Sequence, residues 1–236
     1  MLELLLDNVS CEDYNISIAE RPLIPTPQLR TDTYKVTGRH GSLTIVDAYD
    51  DMPITIKFNI LEDIPIKPLV RRAKGFFMDK KELSFSDDKD FYYVIKIVNI
   101  GDIENEIRQH GEFEVEFWVE PFLYEKTPIV TLIDDGSINN PGTIEANPLI
   151  TIYGEGDGSF TINDMKIETI GQIDTITLDC RLGIAYNYKG LNRSKYLRGG
   201  IPVLKVGDNP ITFSGGVTKI EVDKKVRYLW LYYMTF

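Results

Sequence analysis

The chain has 236 residues, 43% of them hydrophobic and 26% charged, a composition that folds and excludes long disorder. Its 26 basic against 36 acidic residues leave a net charge of −10, so its field repels polyanions and excludes charge-driven binding of DNA or RNA. No run approaches the roughly 18 apolar residues needed to span a bilayer, and the apolar start at Met1–Leu6, interrupted by Glu3, is too short for a signal segment. The expected product is soluble and is not exported by that route.

From the N-terminus, Arg21–Gln28 carries Pro22, Pro25 and Pro27, which cannot donate ladder hydrogen bonds, and reads as an extended arm or edge crossing. Gly38-Arg-His-Gly41 reads as a turn, followed by strand signals at Leu43–Val46 and Ile54–Phe58. Pro68–Phe77 is the one helix predicted, with Leu69, Ala73 and Phe76 or Phe77 at helical spacing and Pro68 in its first turn. Phe91–Val98 is a further strand. In Phe113–Val119 the apolar Phe113, Val115, Phe117 and Val119 alternate with Glu114, Glu116, Trp118 and Glu120, which predicts one row on a core and an acidic row, with Trp118, towards water or a partner.

The Pro-bounded stretch Pro121–Pro128 is predicted to end that strand and to cross between two domains, residues 1–126 and 127–236. Beyond it, turns are predicted at Asp135-Gly136, Asn139–Gly142, Gly154–Gly158, Gly199-Gly200, Gly207-Asp208 and Gly215-Gly216, spaced as in a second sandwich of short strands that includes Ile173–Cys180. The closing segment Val226–Phe236 is apolar on both alternating rows, so it is either a central strand, burying Trp230, or has one row against another subunit. The expected fold is mainly β: an N-terminal β-sandwich with one short helix, then a second β-sandwich.

Chemistry is harder to find. His40 and His110 are the only histidines, each beside a glycine in an apparent loop, and neither accompanies a Gly-x-Ser-x-Gly elbow or a Cys-His signature. Cys11 and Cys180 are expected as reduced, structural thiols, and with the two histidines they show no zinc spacing. Asp134–Asn140 lacks the rhythm and closing Glu of a calcium loop and is read as a hairpin turn with Gly136 at positive φ. Gly154–Gly158 has no following helix or lysine for a phosphate. No catalytic residue, cofactor or metal is assigned.

Several segments in order resemble the distal tail protein (Dit) family of long-tailed bacteriophages. They include Glu20–Pro27, Val36–Gly41, Glu82–Ser86 with Tyr92-Tyr93, Gly111–Tyr124, Asn140–Gly154, Phe160–Asn163 and Leu204–Ile211. Their joint order and spacing over nearly the whole chain carry the likeness. It implies a non-enzymatic hub at the virion tail tip, assembled in the host cytoplasm. In it, the N-terminal sandwich closes into a homohexameric ring around the tail channel and a galectin-like C-terminal sandwich projects outward. The ring would join the tail tube to the tail-associated lysin or tip protein and anchor receptor-binding proteins. Candidate subunit contacts are Pro22, Pro25, Pro27, Gly38, Arg39, Gly41 and Trp118, with Arg39 able to form a bidentate pair with a neighbour's carboxylate. The rival reading is a carbohydrate-binding module. The galectin constellation of His, Asn, Arg and Trp is missing, which leaves Tyr186, Tyr188, Asn192 and Arg193 as a loop site for glycan.

Overall fold

The computed structural model describes residues 2–61, 66–101, 110–171 and 175–229. They form two compact units, the first running to Leu123 and rejoined at Leu229, the second spanning Tyr124–Tyr228. The fold is mainly β, with antiparallel sheets arranged as β-sandwich domains and, among the described residues, one α-helix.

In chain order the first unit holds β1 (Leu4–Leu6), β2 (Val9–Ser10), β3 (Ile16–Ile18), β4 (Leu29–Lys35), β5 (Ser42–Tyr49), β6 (Met52–Leu61), α1 (Ile66–Phe77), β7 (Glu82–Phe85), β8 (Asp88–Ile100) and β9 (His110–Glu125). The main sheet has the order β2-β1-β7-β8-β9-β6-β3. Towards one side of it β6 pairs with β9, in register from Met52 opposite Val119 to Leu61 opposite His110. Along β6, Met52, Ile54, Ile56, Phe58 and Ile60 alternate inward and are fully buried, as are Phe113, Val115, Phe117 and Val119 on β9. The helix covers this row. Phe77 lies 5.4 Å from Phe58, 6.0 Å from Phe117 and 6.1 Å from Phe113 between ring centroids, and Phe76 packs beside it.

Two readings of β9 are corrected. The strand does not stop at Pro121 but runs to Glu125. Pairing with β6 ends at Val119, so the missing N–H of Pro121 falls beyond that ladder. Glu120, expected on the wet row, is buried.

The second unit holds β10 (Val130–Leu132), β11 (Gly136–Asn140), β12 (Leu149–Ile162), β13 (Met165–Thr169), β14 (Thr175–Asp179), β15 (Ile184–Tyr186), β16 (Leu197–Gly199), β17 (Gly207–Asp223) and β18 (Arg227–Leu229), of which β18 pairs with β9. Where the chain comes in and goes out, the Glu125 N–H donates to the Val226 carbonyl at 3.0 Å and the Tyr228 hydroxyl donates to the Glu125 carboxylate at 2.6 Å. The long strands β12 and β17 pair over most of their length, with β10 and β11 on the far side of β17 and β13 and β14 on β12. Ile150, Ile152, Phe160, Ile162, Ile211, Ile220 and Val222 from that pair build the core. The expected closing strand beyond Leu229, with Trp230, lies outside the described residues.

Several predicted turns in this unit prove to be strand, among them Gly207-Asp208, which opens β17. Gly154–Gly158 lies inside β12 and Gly215-Gly216 inside β17, where the register shifts at Tyr153/Gly154 and again between Gly154 and Gly158. These glycines face each other at a β-bulge: a Cβ on Gly154 would collide with the Gly216 carbonyl, one on Gly216 with the Glu155 carbonyl, and one on Gly158 would lie 2.6 Å from the Gly216 nitrogen. Gly136 does not take positive φ in a hairpin turn but opens β11, while the Asp135 carboxylate accepts the Phe213 N–H at 2.7 Å.

Buried amides tie the loops of this unit together. The fully buried Asn209 donates from Nδ2 to the carbonyls of Ile138 (3.1 Å), Lys205 (2.9 Å) and Gly207 (2.8 Å), and its Oδ1 accepts the Lys205 N–H (2.7 Å) and Asn163 Nδ2 (2.8 Å). Asn140, also fully buried, donates to the Ile144 and Leu204 carbonyls at 3.1 and 3.0 Å and accepts the Gly142 N–H at 3.0 Å.

Asn209→Leu orphans three carbonyls and two donors, and is expected to cost about 2–4 kcal/mol, read as an earlier urea midpoint; an unmoved midpoint would deny the network its role. Gly216→Ala is expected to cost about 2–3 kcal/mol from steric conflict. Gly156→Ala, with φ +76° and nothing within 4 Å of its Cβ, is expected to cost only about 1 kcal/mol. Thermal unfolding of the two variants would check that order.

Candidate functional site

Trp118 aside, the residues singled out in the sequence fall in three places. The first is the proline arm. Residues 21–28 run without ladder hydrogen bonding, as three prolines dictate. Pro22 and Pro25 are half-buried, Pro27 is buried, and between them Leu23 is 90% exposed. The arm borders a half-open groove of about 640 Å³ in the first unit, walled by Leu2, Pro22, Ile24, Phe91 and Leu123 with Asp87 and Asp88 on its rim. Arg21 forms an ion pair with Asp87. The Asp88 carboxyl is pushed above its ordinary value by partial burial and then by the charge of Asp90.

The second place is the β4–β5 hairpin, a two-stranded sheet apart from the others, whose turn contains Gly38, Arg39 and Gly41. Gly38 and Gly41 take φ of +82° and +80°, and the Arg39 N–H closes the turn on the Val36 carbonyl at 3.2 Å. Every residue of both strands is exposed except Tyr49, which is half-buried. The register places Tyr34 opposite Leu43 and Asp32 opposite Ile45, so one face carries Tyr34, Leu43 and Ile45 towards the tip. At the base of the hairpin Arg30 is shared between Asp47 (2.5 Å) and Asp50 (3.4 Å). Pattern reasoning placed a strand at Leu43–Val46 but gave no sign that its apolar residues stay in water, because a run of β-branched residues looks the same whether a core covers it or not.

Trp118 stands apart from both, on β9. It is half-buried and its indole N–H donates to Glu116 at 2.9 Å, which with the Asn99 amide holds that carboxyl below its usual range.

The third place is the loop after β15 in the second unit. Tyr186 bridges to Asn192, and the buried Asn187 ties the turn between them by accepting the Lys189 and Leu191 N–H groups at 3.1 and 3.0 Å. Tyr188 is 81% exposed. Asn192 is engaged within the loop, accepting the Ser194 N–H at 2.9 Å, and Arg193 lies 5.3 Å from the centroid of the Tyr196 ring with Lys195 at 5.0 Å. The sequence reading missed Lys189, Lys195 and Tyr196. The run of cations without a carboxylate from Arg181 to Arg198 was the signal for them.

Nucleophile chemistry has little to work with. Cys11 and Cys180 are buried free thiols, both held above the ordinary thiol value by burial, Cys180 at about 12. His40 is exposed at the hairpin tip, and the side chain of His110 lies outside the described residues. Among the described residues no group of three His, Cys, Asp or Glu side chains is placed to hold a metal ion, and no helix is long and apolar enough to cross a membrane.

No protein-family model matches the sequence and no curated protein matches it. Solved structures do match. The Dit protein (gp 19.1) of phage SPP1, described as a paradigm of the hub of the adsorption apparatus in phages that infect Gram-positive bacteria, superposes with a TM-score of 0.68 at 14% identity, over 94% of this chain and 98% of that one. A chain of the phage P2 baseplate in its activated conformation with Ca superposes with a TM-score of 0.51 at 10% identity, over 94% and 97%. The β-rich architecture and this likeness along almost the full length of both chains lead to one conclusion: the chain has the Dit fold.

Proposed function

We propose that this chain is a structural subunit of the distal tail hub of a long-tailed phage or prophage, at the virion tail tip. Six copies form a ring that joins the end of the tail tube to the tail-tip or lysin protein and to adhesion proteins, and DNA passes through its centre. The observation that carries this reading is the likeness to the SPP1 hub protein over 94% of this chain and 98% of that one.

Two physical features support it. A net charge of −10 does not retain DNA by counterion release, which suits a conduit. The bare β4–β5 hairpin is a surface that a closed assembly would bury, since a lone two-stranded ribbon is marginal in water. On this reading the chain is made and assembled in the host cytoplasm, needs no cofactor and is not an enzyme.

The test is the mass of the purified chain by light scattering after size exclusion, followed by negative-stain imaging. A ring of six would weigh 6 × 27.0 kDa, about 162 kDa, with a central hole. A strict monomer up to the solubility limit, and also in the presence of its tail-tube partner, would overturn the ring.

A further inference from the structure

We propose that the tip of the β4–β5 hairpin of one copy seats in the groove beside Pro22–Ile24 of the next copy, so that the ring contact is tip-in-groove. The inference rests on the ring reading and names the two surfaces that meet in it. A ring requires one face of a subunit to meet a different face of its neighbour, and the first unit carries two such faces that fit.

The tip supplies apolar side chains and positive charge. Tyr34, Val36, Leu43 and Ile45 are each 40–52% exposed, around a turn whose two glycines have nothing within 4 Å of a built Cβ. Residues 34–41 include Lys35 and Arg39 and no carboxylate. Among the described residues neither cation has a carboxylate partner, whereas Arg30 at the base is already satisfied by Asp47 and Asp50. The unpaired positive charge of the hairpin is therefore at its tip, while Asp32, two residues before Tyr34, is the carboxylate nearest to it along β4.

The groove supplies the complement. Its walls are apolar, with Leu23 standing on its edge, and its rim is acidic. Arg21 takes Asp87, but among the described residues Asp88 and Asp90 have no cation, and partial burial and mutual repulsion already disfavour the charged form of Asp88. A guanidinium or ammonium arriving there relieves that repulsion while Tyr34 and Val36 leave water. No residue of the tip lines the groove of its own chain. Strands of seven and eight residues carry the tip about 25 Å from its base, which is reach enough for a neighbour. A symmetric tip-to-tip contact would instead oppose Lys35 and Arg39 to their own copies.

The experiment uses the full chain carrying Val36→Cys and Leu23→Cys together, oxidised with oxidised glutathione at a concentration where light scattering shows the ring. The native thiols are buried and stay out of the reaction. The expected result is a non-reducing ladder from covalent dimer to hexamer, with each single-cysteine variant stopping at dimer or below. In the same background Arg39→Asp or Asp88→Arg should each lower the ladder yield at least tenfold, and the two together should restore it. A ring of full mass that yields no ladder overturns the tip-in-groove contact and leaves the hub reading standing. A chain that neither reaches ring mass nor cross-links, alone and in the presence of its tail-tube partner, and whose unsubstituted form behaves the same way, overturns both.

Discussion

An apolar row on a β-strand has to be covered, and the way each row here is covered organises the chain. On β6 and β9 the inward rows from Met52 to Ile60 and from Phe113 to Val119 meet Phe76 and Phe77 of the helix, and the rings fill the gap between sheet and helix. On β12 and β17 the isoleucines and Phe160 are covered by strands of their own unit. On β4 and β5 Tyr34, Leu43 and Ile45 share one face, and among the described residues both strands are left exposed except at Tyr49. Burial of apolar surface at about 25 cal/mol per Å² makes the first two arrangements stable by themselves, and it gives the third a standing tendency to find a partner.

A second constraint acts on the connections. Loops that dive between the strands of the second unit carry backbone groups away from water, and each must find a partner. Asn140, Asn163 and Asn209 meet that need with side-chain amides, which offer donors and acceptors from one planar group and so stitch together segments that are distant in sequence. Asn140–Gly154, Phe160–Asn163 and Leu204–Ile211, the stretches of this half that resemble the Dit family, are the ones these amides join.

Much of the fold was legible because burial writes itself as periodicity. The alternation in β9, the spacing of Ala73 and Phe76 in α1 and the proline arm all appear where the pattern put them. What was not legible has common causes. Glycine pairs signal a turn and a bulge with the same letters, so Gly154–Gly158 and Gly215-Gly216 pointed to chain reversals when they serve a close approach of two continuing strands. Pro121 signals a strand end only where a ladder needs its N–H, and Glu120 shows that an alternating pattern does not fix what covers the outer row. Within the candidate site the arm and the turn glycines were readable as special backbone. The bare apolar face above them was not, because exposure is a property of the surroundings and not of the segment.

The placing of the chain ends of the second unit has an evolutionary consequence. The residues by which the chain arrives and departs are bonded side by side, Glu125 to Val226 and Tyr228. A segment of about a hundred residues thus begins and finishes at nearly one point, the geometry that tolerates domain insertion. The second sandwich is in effect a cassette: recombination can exchange it for another module, or shorten it to a loop, without rerouting the first unit. A lineage built on this plan can change the second unit while keeping the first.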